Sequence, residues 1–331
     1  MITPTARIVS IAFLGVASCA NADTADVVQA VYRDWMAPRA AEFAADSARL
    51  TATLQSLCTA SAETADVSLQ QARHRWQAGL ASWERLSAVA IGPVLERRSQ
   101  RQIDFSPTRP HLIEKAVKSA PASAADMELI GTPAKGLPAL EWLLWVRPAK
   151  PGSPECRYAA QVAAEVGREA VALDAAFRQE AKRKPENAAA TIALSELINQ
   201  WVGGMQRLRW TNMAGPVQAA AATGRDAPDF PRNVSDSSAT GWSMQWEALR
   251  NLAVGNPSLE SALRQRGHAG IADKLVRATR QADAGMNGLP ANDPARILAA
   301  AQNLATLERV VEAEVAPALG VNIGFSDADG D

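Results

Sequence analysis

The sequence predicts an all-α fold, and three observations carry the prediction. Alanine, leucine, glutamate, glutamine and arginine, all good helix formers, dominate the composition. Alternating runs of β-branched residues, the mark of half-buried strands, are absent. Apolar residues instead recur at steps of three and four, as in Leu69, Ala72, Trp76, Leu80, Trp83, Leu86 and Ala90. The 331 residues are enough for two helical domains with cores of their own. With 34 basic and 35 acidic residues the formal charge is −1, which gives no reason to expect nucleic acid as a partner.

Residues 1–22 read as an export signal, with Arg7 as a short positive start and residues 8–16 as the apolar stretch. Two processing sites follow. Val16-Ala17-Ser18-Cys19 fits cleavage by the lipoprotein signal peptidase, which would leave Cys19 as a lipidated N-terminus, and Ala20-Asn21-Ala22 fits ordinary signal peptidase. No other run approaches the roughly 18 apolar residues a membrane span needs, so any membrane association is through a lipid anchor. Setting Cys19 aside leaves Cys58 and Cys156, which an oxidising compartment would join as a disulfide.

The elements follow in order. Asp26 with Gln29 suggests a capping box for a first helix through Val27, Val31 and Trp35 toward Leu57, with Pro38 as a kink or break. Asp66 is placed to cap the helix carrying the Trp76 and Trp83 stripe, and Gly92-Pro93 ends it. Residues 147–154 form a proline-rich connector where the domain boundary is drawn, giving bundles of 23–150 and 151–331. A long alanine-rich helix over 158–181 follows. The next carries Leu194, Leu197, Ile198, Trp201, Met205 and Leu208 up to Gly215-Pro216. Trp201 and Trp210 loosely echo Trp76 and Trp83, a hint of two related halves. Helices near 257–266, 271–286 and 294–315 complete the chain.

Three segments between these helices hold the candidate chemistry. In Gly131 to Trp145, G-T-P-A-K-G-L-P-A-L-E-W-L-L-W, Pro138 suits the first position of a helix, and Glu141 then lies among leucines and tryptophans on nearly every side. A buried carboxylate needs a cation, a metal or a set of donors, and backbone N–H groups of its own helix are the plainer alternative. Residues 97–111 gather arginines, Asp104 and His111 in a proline-broken stretch whose side chains could converge on one site or simply be solvated. Residues 223–239 form a long polar loop, with Ser235 and Asp236 just before a helix bearing Trp242 and Trp246. Asp236 is there either a site residue or an N-cap.

These stretches resemble the imelysin-like family of bacterial exported proteins. Gly136 and Glu141 match its G-x-H-x-x-E signature, Pro138 replacing the histidine, and Ile103-Asp104-Phe105-x-Pro107 is similar to its I-D-x-W-P element. The serine and aspartate-rich 235–238 and the ending G-F-x-x-x-D-G-D are similar too. The resemblance implies two packed helical-bundle halves, a location in the periplasm or at the outer membrane, and a pocket uniting Gly136, Pro138, Glu141, Asp104, Arg109, Ser235 and Asp236. It makes Arg109 the partner of Glu141. It also implies iron or another divalent metal, held by Glu141 and Asp104 at a site degraded by the loss of the histidine, and other iron-uptake components as partners.

The function these features suggest is an exported binding protein, for a metal ion or small ligand, within iron acquisition. The alternatives are a metallopeptidase of the same family and a cell-surface interaction protein whose pocket is purely structural. His74, His111 and His268 are the three histidines; no two are spaced as metal ligands and H-E-x-x-H is absent, which weighs against peptidase chemistry.

Overall fold

The computed structural model describes residues 24–324, so the leader with Cys19 and the tail beyond Gly324 lie outside the described residues. Within them the chain is helical with no strand. Helix α1 (24–59) comprises Thr24–Ala30, a π-helical turn Val31–Met36 and Ala37–Thr59; α2 is Ala65–Ser87. Short helices follow: α3 Pro93–Glu96, α4 Ser99–Ile103, α5 Pro110–Ser119 and α6 Ala124–Glu128. Helix α7 joins Gly136–Glu141 to a π turn Trp142–Val146, and α8 is Pro154–Glu180. Helix α9 (187–223) comprises Asn187–Gln206, a π turn Arg207–Ala214 and Gly215–Thr223. Then come α10 Ser238–Val254, α11 Leu259–Gln265, α12 Ala269–Met286, and α13 (294–318), Pro294–Val310 with a π turn Val311–Val315 and Ala316–Ala318. No helix among the described residues is long and apolar enough to cross a membrane.

The prolines differ from expectation for one physical reason. A proline inside an α-helix lacks its N–H and drives its ring into the carbonyl four residues back. Here a single residue separates the end of each π turn from a proline, and that intervening residue donates five positions back: Ala37 to Tyr32, Arg147 to Trp142, Gly215 to Trp210, Ala316 to Val311. The widened turn makes room for the ring. Pro38 and Pro216 therefore do not break their helices, and α9 runs past Gly215-Pro216, where its end was expected. Two expected caps are also replaced. Helix α1 is already formed at Thr24, before Asp26, and Thr64 rather than Asp66 stands at the start of α2.

Packing partners place α8 with the first helices. It lies along α1 and touches α4, α5, α6 and α7, and Cys58–Cys156 bonds its first turn to the end of α1. Ser153 caps α8 by accepting from the Cys156 N–H, which fixes the thiol's position. The helix after the connector at 147–154 thus packs against elements on the connector's N-terminal side. Helices α9, α10, α12 and α13 pack on one another, and α10 also crosses α2. Buried residues from all of these helices form a continuous core. The stripe of α2 faces it: Trp76, Leu80, Trp83 and Leu86 are buried, with Phe43 against Trp83 at 5.2 Å between centroids. The tryptophan echo is half kept. Trp76 donates to the Leu137 carbonyl at 3.0 Å and Trp201 to that of Leu249 at 2.9 Å, but Trp210 is 50 % exposed where Trp83 is buried.

Candidate functional site

Glu141 lies where α7 is wholly enclosed. Residues 136–144 are all buried, and Glu141 keeps 5 % of its surface. The helix begins at Gly136, two residues before Pro138, which is buried within its first turn instead of opening it. Gly136 has φ +75°, and a Cβ there would stand 2.3 Å from the Ile103 carbonyl oxygen. Only glycine allows this contact, which lays the end of α4, and with it Asp104, against the start of α7. Lys135 is anchored just before it, donating to the Met127 carbonyl at 3.0 Å and to Glu165 at 2.7 Å.

The cation is Arg232, from the loop between α9 and α10. Its Nη1 lies 3.4 Å from Glu141 Oε2 and its Nη2 pairs with Asp104 Oδ1, while its side chain is 8 % exposed. The Trp76 ring lies beneath, 5.8 Å from the guanidinium carbon. Ser235 completes the shell: its N–H and hydroxyl both donate to Glu141 Oε1, at 3.1 and 2.6 Å. Arg232 sits at φ +68°, a left-handed conformation that costs a non-glycine residue roughly 1–2 kcal/mol and persists where contacts fix it. The loop is pinned by its own bonds, Ser237 N–H to the Arg232 carbonyl at 3.0 Å and Ser238 Oγ to that of Pro231 at 2.7 Å, and by Phe230 edge-on to Trp242.

Besides Arg232, two further members of the cluster were not singled out from the sequence. Glu84, buried on α2, accepts from Gln245 Nε2 at 2.6 Å, and Gln245 in turn accepts from Asn212 at 3.0 Å. Arg207, in the π turn of α9, donates to the Ser87 carbonyl at 2.6 Å. Three carboxylates thus face two guanidiniums. Burial, reinforced by the charge of Asp104, pushes the Glu84 carboxyl up to about 7 against the pull of Arg232, Gln245 and Arg207. Burial also lowers Arg207 from the usual arginine value, against Glu84 and Asp104. For Arg232 burial acts downward as well, but Asp104, Glu141 and Glu84 outweigh it and hold the guanidinium above its ordinary value.

Glu84 makes the fold sensitive to pH in a definite direction. Its folded value lies above the ordinary 4.5, so between about pH 4.5 and 7 the folded chain holds more protons than the unfolded one. Glu84 therefore costs stability progressively as pH rises through that window. Glu84→Gln removes the titration and keeps an amide in its place. The midpoint of the variant minus that of the parent is expected to increase from pH 4.5 to 8, and a difference that stays flat would refute the assignment.

The structure gathers Gly136, Pro138, Glu141, Asp104 and Ser235, and leaves Arg109 and Asp236 out. Arg109 is exposed, immediately before α5, and the cation next to Glu141 is Arg232 instead. Asp236 is exposed at φ +54°, and Ser237 holds the N-cap position of α10, so Asp236 fills neither of its expected roles. The arginines of 97–111 diverge: Arg97 forms a bidentate pair with Glu169 at 2.9 and 2.7 Å, joined by Ser99, while Arg98 and Arg101 are exposed. His111 and His74 are exposed.

The residues present do not fit a bound metal. Among the described residues no group of three or more histidine, cysteine, aspartate or glutamate side chains converges to hold one. The space between Asp104 and Glu141 is taken by the Arg232 guanidinium, and the other Glu141 oxygen is taken by Ser235. Nor is the cluster an open cleft, since the Arg232 and Glu141 side chains are 8 and 7 % exposed. Three surface grooves of about 290, 510 and 530 Å³ are lined by other residues.

Comparison with known proteins gives a consistent picture. The family model described as imelysin matches residues 36–316. An imelysin-like protein from Psychrobacter arcticum superposes with a TM-score of 0.78 at 19% identity, over 91% of this chain and 97% of its own. A proposed iron-regulated protein A precursor from Parabacteroides distasonis superposes with a TM-score of 0.69 at 14% identity, over 87% of this chain and 93% of its own. No curated relative matches the chain.

Proposed function

Because this chain belongs to the imelysin family, we propose that it is an exported, non-enzymatic protein associated with iron acquisition, in which the signature cluster ties the helices together without a resident metal. One observation carries the reading: the Arg232 guanidinium lies between Asp104 and Glu141, so an internal cation does the work a metal ion would do there. The cluster draws on α2, α4, α7, α9 and the loop before α10, so it joins early and late helices of the chain. The association with iron is supported by the iron-regulated precursor that shares the fold. Export is supported by the Cys58–Cys156 bond, which suits an oxidising compartment, and by the leader-like residues 1–22. A periplasmic location or a lipid anchor at Cys19 belongs to the same proposal.

Calorimetric titration of the purified mature protein with ferrous, ferric and zinc ions, alongside Glu141→Ala, tests the reading. The expected result is no stoichiometric tight site in either protein. One tightly held equivalent that disappears on Glu141→Ala would overturn it and reinstate Glu141 as a ligand.

A further inference from the structure

The second half of the chain carries a groove that the Arg232 cluster does not use. It runs between α10, α11 and α12, with a volume of about 510 Å³, and continues through Arg250, Arg280 and Asp283 into a neighbouring hollow of about 530 Å³ beside Trp246. Four arginines line it: Arg250, Arg264, Arg277 and Arg280. Its carboxylates are all engaged. Arg264 holds Glu260 at 2.9 Å and Asp273 at 2.8 Å. Asp283 forms an ion pair with Arg250, Nε to Oδ1 at 3.1 Å, and accepts from the Trp246 indole at 3.0 Å. Glu247, in the adjoining hollow, is bound to Arg85 at 3.1 Å.

Arg277 and Arg280 are left over. Both are exposed on α12, three residues apart and so neighbours on one helix face, and neither has an acidic partner among the described residues. Arg250 meets Asp283 through Nε and keeps its two terminal nitrogens for another acceptor. Planar guanidinium forks of this kind match carboxylate and phosphate oxygens in pairs. The groove is also of the size that small ligands occupy, roughly 300–1,000 Å³.

We propose that this groove binds a small oxyanion carrying more than one negative charge, clamped by Arg277 and Arg280 with Arg250 opposite. The two sources of that chemistry are a polycarboxylate and a phosphate. The inference goes beyond the function proposed above and shares no residue with the Arg232 cluster, so either can fail alone.

The test is calorimetric titration of the mature chain with tricarballylate and, separately, inorganic phosphate, at low and at physiological ionic strength. Saturable binding is expected with at least one probe, weaker at the higher salt because the site is open to solvent. The double variant Arg277→Ala/Arg280→Ala should lose at least tenfold in affinity with an unchanged thermal midpoint, and Arg277→Lys/Arg280→Lys should fall between. Preference between the probes identifies the anion class. No saturable binding of either probe up to millimolar concentration, or equal binding by parent and alanine variant, overturns the proposal.

Discussion

Arg232→Ala is expected to destabilise the protein by about 3–5 kcal/mol, the range for removing one partner of a buried ion pair. The estimate rests on burial on both sides of the contact, with the Arg232 and Glu141 side chains 8 and 7 % exposed. Without the guanidinium, Glu141 keeps its two Ser235 donors but loses its ion-pair partner, the only one it has among the described residues, and Asp104 loses its ion pair too. Relief of the left-handed backbone offsets little, since alanine is no easier at φ +68°. Chemical denaturation of parent and variant measures the loss. Arg232→Met combined with Glu141→Gln should recover part of it, because two neutral groups of similar shape replace an orphaned charge. A parent-like midpoint for Arg232→Ala would show that the cluster contributes nothing to the fold, and would remove the basis for reading it as a tie between helices.

Cys58→Ser with Cys156→Ser should be comparably damaging. The bond closes a loop across a separation of 98 residues, and the chain-entropy relation assigns such a loop about 4–5 kcal/mol. Beyond entropy, it sets the register of α8 against α1, on which the Arg97–Glu169 pair and the Lys135 anchor both depend. Urea unfolding with and without reductant supplies the check: the parent should fall to the level of the double serine variant when reduced. If reduction leaves its midpoint untouched, the bond is not limiting stability.

The helices were legible because each one buries a stripe whose spacing is written locally, as in Trp76, Leu80 and Trp83. Their ends were less so, since a proline signals a stop unless the turn before it widens, and no local spacing distinguishes the two. At the site, Glu141 announced the need for a counterion, whereas Gly136 was legible only as a match to the family signature and not as a close approach of two backbones. The identity of the counterion did not follow, because Arg232 lies 91 residues further on and reaches Glu141 only through the course of its loop. Arg109, beside the matching I-D-x-x-P element, was the nearer guess. Glu84 and Arg207 flank apolar stripes in long helices and look there like ordinary solvated charges. The long polar loop was the one available pointer to Arg232, since loops of that length in compact domains are seldom idle.

The widened turns ahead of Pro38, Pro148, Pro216 and Pro317 have a geometric consequence for the segments after them. Each holds one residue more than regular winding needs, and a single residue corresponds to about 100° of rotation. Shortening the turn at 207–214 by one position would swing the stretch beyond it by that angle, carrying Val217 and Ala220 out of the interior and toward water. What looks like local slack ahead of an imino acid is therefore the gauge that aims the last quarter of that helix.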